Sequence, residues 1–180
     1  NIFYLDKDPG VCASMHCDKH VVKMILELGQ LLSTAHRVLD GTEYIDNSSG
    51  RRIKRWKVQE NEDILYKATH VNHPSAVWVR ESNENYLYTF YLFETLSNEF
   101  LYRYNKVHKT YVLLREILSP VPENIPHGEF TEPPQAMPEY CRDKSSVNAY
   151  RKYYLMEKKS MLNFTRREIP YWIKVNLRDN

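Results

Sequence analysis

Residues 11–41 read VCASMHCDKHVVKMILELGQLLSTAHRVLDG, and the reading of this run decides the fold. Apolar residues recur at three- and four-residue spacing from Val11 to Leu39, the period of an α-helix. Asp6-Lys7-Asp8-Pro9-Gly10 ahead of it is turn chemistry, and Asp40-Gly41 stops it, with glycine suited to a C-terminal cap. The pattern therefore predicts one long helix over 11–39. With His16 at zero and about 100° per residue, His20 falls at about 40°, Lys23 at about 340°, Glu27 at about 20°, Gln30 at about 320° and Thr34 at about 0°. These six share one narrow stripe. Most of the remaining circumference is apolar: Val21, Val22, Met24, Ile25, Leu26, Leu28, Leu31 and Leu32. A helix apolar nearly all round is a buried one, so the stripe is expected to face a cleft or an internal pocket.

Burying ionisable groups is unfavourable unless they pair or change protonation. Lys23 and Glu27 are four apart and can pair, and His16 and His20 are four apart as well. An internal ion pair with two core histidines accounts for the stripe structurally. Convergence of four titratable groups on one line is also how sites with tuned pKa values look. Glu27, Lys23, His16 and His20 are therefore the candidate catalytic residues. Histidines one turn apart suit a metal, but Glu27 lies about 16 Å along the axis from His16 at about 1.5 Å per residue and cannot complete that site. No metal and no cofactor is expected.

Outward from this run, Ile2 to Leu5 reads as a strand or an extended lead-in. Residues 41–57 read as a loop with a flexible tip at Asn47-Ser48-Ser49-Gly50, followed by Arg51, Arg52, Lys54, Arg55 and Lys57 around Trp56. Such a segment offers charge for phosphates and a ring for stacking, so Arg51, Arg52, Arg55 and Trp56 are candidate nucleic-acid contacts. Asp63 to His70 reads as a short helix. Thr69-His70-Val71-Asn72-His73-Pro74-Ser75 reads as a helix entrance, where free backbone N–H groups favour an anion. Asn72, His73, Ser75 and Arg80 are the candidate substrate contacts there, with Asn72 or Ser75 as the cap. One aromatic-rich helix is expected over 75–106 and another over 111–118. Six prolines pin a long loop over 119–144, and a last helix over 145–168 ends at Pro170.

The 180 residues suit a single domain, 1–180. Fourteen tyrosines against five glycines favour helices over a turn-rich β protein, and the expected class is all-α: a compact helical bundle with a long proline-rich loop. A formal charge of +2 gives no global field, though a local basic surface is compatible with it. Three cysteines, Cys12, Cys17 and Cys141, make no disulfide framework and fit a reducing cytoplasm. The opening residues do not read as a signal peptide, and no apolar run is long enough to span a bilayer, so no membrane association is expected. Walker-type loops, Gly-x-Gly-x-x-Gly, Cys-x-x-Cys and Gly-x-Ser-x-Gly are all missing, which disfavours nucleotide-driven phosphoryl transfer and hydride transfer.

The segments 16–25 (HCDKHVVKMI), 32–37 (LSTAHR) and 69–75 (THVNHPS) resemble a poorly characterised family of tailed-phage proteins over almost the whole chain. More distantly, the layout is similar to the phage-type pyrimidine-dimer DNA glycosylases. The likeness rests on the short lead-in before a helix bearing Ala13 and His16, a His-led central helix with aromatics, and Tyr150-Arg151-Lys152-Tyr153-Tyr154 near the end. Those enzymes are small, all-helical and cytoplasmic, and combine base excision with strand cleavage. In them the N-terminal amine attacks the sugar carbon, assisted by a glutamate and arginines of the first helix. The adjacent Arg-Glu pair of that family has no counterpart here; Lys23 and Glu27, one turn apart, stand nearest. The resemblance implies a DNA N-glycosylase for damaged or modified pyrimidines, with or without an abasic-site lyase step, working as a monomer on DNA in the host cytoplasm. In that scheme Glu27 activates water or steadies a positive sugar, and Lys23 positions it or serves as the amine. His16 and His20 hydrogen-bond the base or a phosphate. A small helical transferase or metalloenzyme of DNA-base modification, and a non-enzymatic inhibitor of a host protein, are the alternatives.

Overall fold

The computed structural model describes residues 1–178. The long helix expected over 11–39 is two helices. In α1 (Pro9–Ser14) the Asp8 side chain caps the first turn by accepting from the Val11 N–H, and Pro9 fills a first-turn position that needs no donor. The chain then tightens, with His16 N–H bonding Ala13 O, and runs extended at Cys17 before α2 (Asp18–Asp40) begins. His16 sits in this joint rather than on a helix. The apolar period carries on across the break, which is why the two helices read as one.

α2 packs chiefly against α4 (Asn83–Tyr104), and also against α3 (Pro74–Val79) and α5 (Lys109–Leu118). Val21, Met24, Ile25, Leu28 and Leu32 enter the core, but Val22 and Leu26 are exposed. The helix is thus amphipathic rather than buried all round. Gly29 lets α5 approach closely: a Cβ there would stand 2.8 Å from Thr110 Cγ2. The single helix expected over 75–106 is broken at 80–82, where the Ser82 hydroxyl accepts from the Asn85 N–H and starts α4 afresh.

The all-α expectation is corrected by the segment after α2. Thr42–Asp46 (β1) and Ile53–Lys57 (β2) form an antiparallel hairpin in which Thr42 faces Lys57 and Asp46 faces Ile53. The fold is therefore mixed, seven helices and a two-stranded sheet among the described residues. Gly41 sets the hairpin flush against the end of α2, since a Cβ there would collide with the Arg37 carbonyl oxygen.

No helix forms over 63–70. The carbonyls of Glu62, Leu65 and Tyr66, which a helix would use internally, turn instead to the buried Arg37 guanidinium at 2.9, 2.8 and 2.7 Å. Arg37 also bonds Trp56 O at 2.8 Å and the Glu62 carboxylate at 2.7 Å, joining the hairpin to this irregular stretch. The proline loop is held by side chains of the α3–α4 region: Asn85 Oδ1 accepts from Thr131 N–H, and Trp78 Nε1 donates to the Thr131 hydroxyl. The last helix, expected over 145–168, stops early as α6 (Ser146–Glu157); a short 3₁₀ turn follows at Lys159–Met161, and Pro170 precedes a further, unexpected helix, α7 (Tyr171–Arg178), rather than ending one. Ile2 to Leu5 forms no strand; all four residues are buried under α6, whose Arg151 donates to Leu5 O. Among the described residues no helix is long and apolar enough to cross a membrane.

Candidate functional site

Glu27, Gln30 and Leu31 sit at i, i+3 and i+4, so they share one face of α2. Over that face the structure closes a pocket of about 250 Å³, whose other walls are Asn1 and the turn carrying Thr69, His70 and His73. The turn is pinned to the helix one step further on, where the Thr34 hydroxyl accepts from the Thr69 N–H at 3.2 Å. His70 takes a left-handed backbone at φ 47°, uncommon for a residue with a side chain, and the turn closes by His73 N–H bonding His70 O. His73 then caps α3: its Nδ1 accepts from the Ser75 N–H at 3.1 Å. The cap expected at Asn72 or Ser75 is thus supplied by a histidine.

This cap fixes the chemistry of the ring. A nitrogen that accepts carries no proton, so the neutral ring is protonated at Nε2. The pKa of His73 lies below the ordinary imidazole value, first through desolvation, with His70 adding to the shift and Glu27 opposing it. Asn1 is anchored by its Nδ2 donating to Ala136 O at 3.1 Å, while its Oδ1 is buried without a partner. Where Asn1 begins the mature chain, its amino group is held below the usual α-amine range by burial, with Glu27 pulling the other way.

Of the four candidate catalytic residues, Glu27 lines the pocket. Lys23 pairs with it at 3.7 Å but is itself largely exposed, so it tethers Glu27 only weakly. His16 and His20 lie elsewhere, in the core. His16 Nδ1 donates to Cys12 O at 2.7 Å and the ring is fully buried, which pushes its pKa down to about 4. His20 stacks on Phe3 at 4.2 Å and its Nδ1 meets the Tyr154 hydroxyl at 2.7 Å. That hydroxyl also accepts from the Cys17 N–H; burial first, then neighbouring positive groups, bring His20 down to about 3. The two rings answer to separate internal partners. Among the described residues no group of three or more His, Cys, Asp or Glu side chains is placed to hold a metal ion.

The candidate substrate contacts divide in the same way. His73 is in the pocket; Asn72 is exposed and off it, and Ser75 is buried with its hydroxyl unpartnered. Arg80 braces backbone, donating to Val71 O and Ala76 O. On the hairpin, Arg51 and Arg52 stand exposed at the tip. Arg55 turns inward and donates to Ala68 O, next to Thr69 of the pocket wall, and Trp56 is half-buried at the hairpin base. Sequence reasoning placed Gln30 on the right face without assigning it a role; its one pointer to Asn1 was the N-terminal amine of the resembling family, and the position of Asn1 depends on the proline loop.

A larger groove of about 420 Å³ runs between the ends of α2 and α5. Asp40, Glu60, Glu116 and Glu123 line it, a wall that repels phosphate. The smaller pocket holds the convergent donors and acceptors and is the better candidate. Compared with protein-family models, curated proteins and solved structures, the chain matches none.

Proposed function

We propose that the Glu27 pocket belongs to a DNA N-glycosylase acting on a damaged or modified pyrimidine. The observation that carries the reading is the convergence of a carboxylate, Gln30 and two imidazoles on a small pocket. Its volume falls below the roughly 300–1,000 Å³ of pockets for drug-sized ligands and suits a single base turned out of the helix. The arrangement supports hydrolysis as follows. Water attacks the sugar carbon C1′, Glu27 takes the proton, and the C1′–N bond breaks with its electron pair leaving on the base. The same carboxylate faces the positive charge that develops on the sugar. Arg51 and Arg52 supply sequence-independent grip on phosphates.

The test is excision from oligonucleotides carrying one uracil, 5-hydroxymethyluracil, thymine glycol or thymine dimer, read as alkali-labile sites. Glu27→Gln is expected to lower excision by about 10²–10⁴-fold with DNA affinity near normal. Full activity of that variant removes Glu27 from the mechanism, and a wild-type protein that excises none of these bases removes the function. A following lyase step needs an amine. Two stand beside Glu27: Lys23 and, where Asn1 begins the mature chain, its amino group. Borohydride reduction during turnover would then trap a protein–DNA adduct, and peptide mapping would name the nitrogen.

A further inference from the structure

We infer that His73 is the electrophile of the excision step, donating its Nε2–H to the carbonyl oxygen beside the glycosidic nitrogen of the departing pyrimidine. This rests on the glycosylase reading above and assigns the second half of the reaction, the departure of the base. Breaking C1′–N1 sends the bonding pair into the pyrimidine ring, where it is shared with the neighbouring carbonyl oxygen. A donor already aimed at that oxygen stabilises the charge as it grows. Meanwhile the water oxygen bonds C1′, its proton goes to Glu27, and the released base anion is protonated afterwards.

Three features of the site fit this role. The ring lines the cavity that Glu27 lines. Its Nδ1 is committed to the Ser75 N–H, which leaves Nε2–H as the one polar hydrogen of the side chain and holds the ring in place at the start of α3. The cap also keeps the ring neutral, because a proton on Nδ1 would break it. Neutrality matters next to a carboxylate: an imidazolium would pair with Glu27 and occupy both groups, whereas a neutral donor leaves Glu27 free to take the proton from water. Use of a neutral imidazole as electrophile has precedent in enzyme chemistry. His70, which also acts on His73, disfavours a charge on it, as does the Asn1 amino group where that residue begins the mature chain. His108 caps α5 in the same manner, its Nδ1 accepting from the Thr110 N–H, and does so outside the pocket.

The test uses His73→Asn, which keeps a good capping oxygen for α3 and removes the donor. Its melting temperature is expected to stay within a few degrees of wild type. On whichever base of the panel is excised, kcat is expected to fall by about 10²–10³-fold with KM for DNA nearly unchanged. On the 5-fluoro analogue, whose anion is more stable, the loss is expected to shrink at least tenfold, because a better leaving group needs the donor less. Equal losses on both bases, or no loss, overturn the inference. An independent readout is the ¹⁵N spectrum of the imidazoles in the wild-type protein: His73, like His108, is expected in the Nε2–H form and uncharged at neutral pH. A cationic or Nδ1-protonated His73 overturns the proposal even where Glu27-dependent excision is seen. Absence of excision in the wild type instead overturns the glycosylase reading, and this inference with it.

Discussion

His16 and His20 show how a titratable side chain can belong to the core and still shape the behaviour of the molecule. Both are neutral when folded, at about 4 and about 3, while in an unfolded chain an imidazole takes up a proton below about 6.5. Between pH 6.5 and about 4 the unfolded state therefore binds more protons, and stability falls as pH drops. Each histidine contributes up to about 1.4 kcal/mol per pH unit in that window and nothing above it. His36, His73 and His108 are lowered too and act in the same direction. Urea unfolding at pH 7 and pH 5 is expected to show the loss, and His16→Asn, which keeps a donor for Cys12 O, should reduce the difference. An unchanged difference in that variant would show that His16 is not the buried neutral group described. The wheel position of Glu27 was legible from spacing alone. The fate of the histidines was not, because the break at 15–17 takes His16 off the stripe and the partners of His20, Phe3 and Tyr154, lie outside the run.

At the scale of elements, the turn before α1 and the stop after α2 were readable; the cap of α3, the end of α6 and the interruptions were not. Asp8-Pro9, Asp40-Gly41 and the prolines of 119–144 each restrict the backbone locally, so their effect needs no tertiary information. The breaks at 15–17 and 80–82 lie inside continuous apolar periods, and only packing decides them. The hairpin escaped for a different reason: β1 is exposed over most of its length, so it lacks the apolar alternation that marks a half-buried strand. As an element it carries Arg51 and Arg52 away from the body of the fold. If these contact phosphates, replacing both by Gln should weaken DNA binding and reduce the slope of log K against log salt by about 2, at about 0.9 per contact. The rate at saturating DNA should stay unchanged. A slope that does not move would remove the hairpin tip from the DNA interface.

Across the whole molecule, the pocket is assembled from places far apart in the chain, and Arg37 of α2 is the hub of the 56–66 stretch that leads into its turn. Every N–H of its guanidinium fork reaches toward 56–66, and Arg55 extends the same scaffold to Ala68. Arg37→Met removes the partner of the Glu62 carboxylate and of four carbonyls, and is expected to cost about 3–5 kcal/mol in urea unfolding. Faster amide exchange over 58–69 and weaker excision should accompany it; a change below about 1 kcal/mol would mean that water replaces the guanidinium without difficulty. The Asn1 anchor at Ala136 has a temporal consequence. Synthesis runs from the N-terminal side, yet Asn1 gains its hydrogen bond, and His20 its hydroxyl, only from segments made more than a hundred residues later. Until residues 136–154 have left the ribosome, Asn1 and His20 stand without these partners, so a product cut short before them would expose an unfinished pocket to chaperones and proteases rather than to DNA.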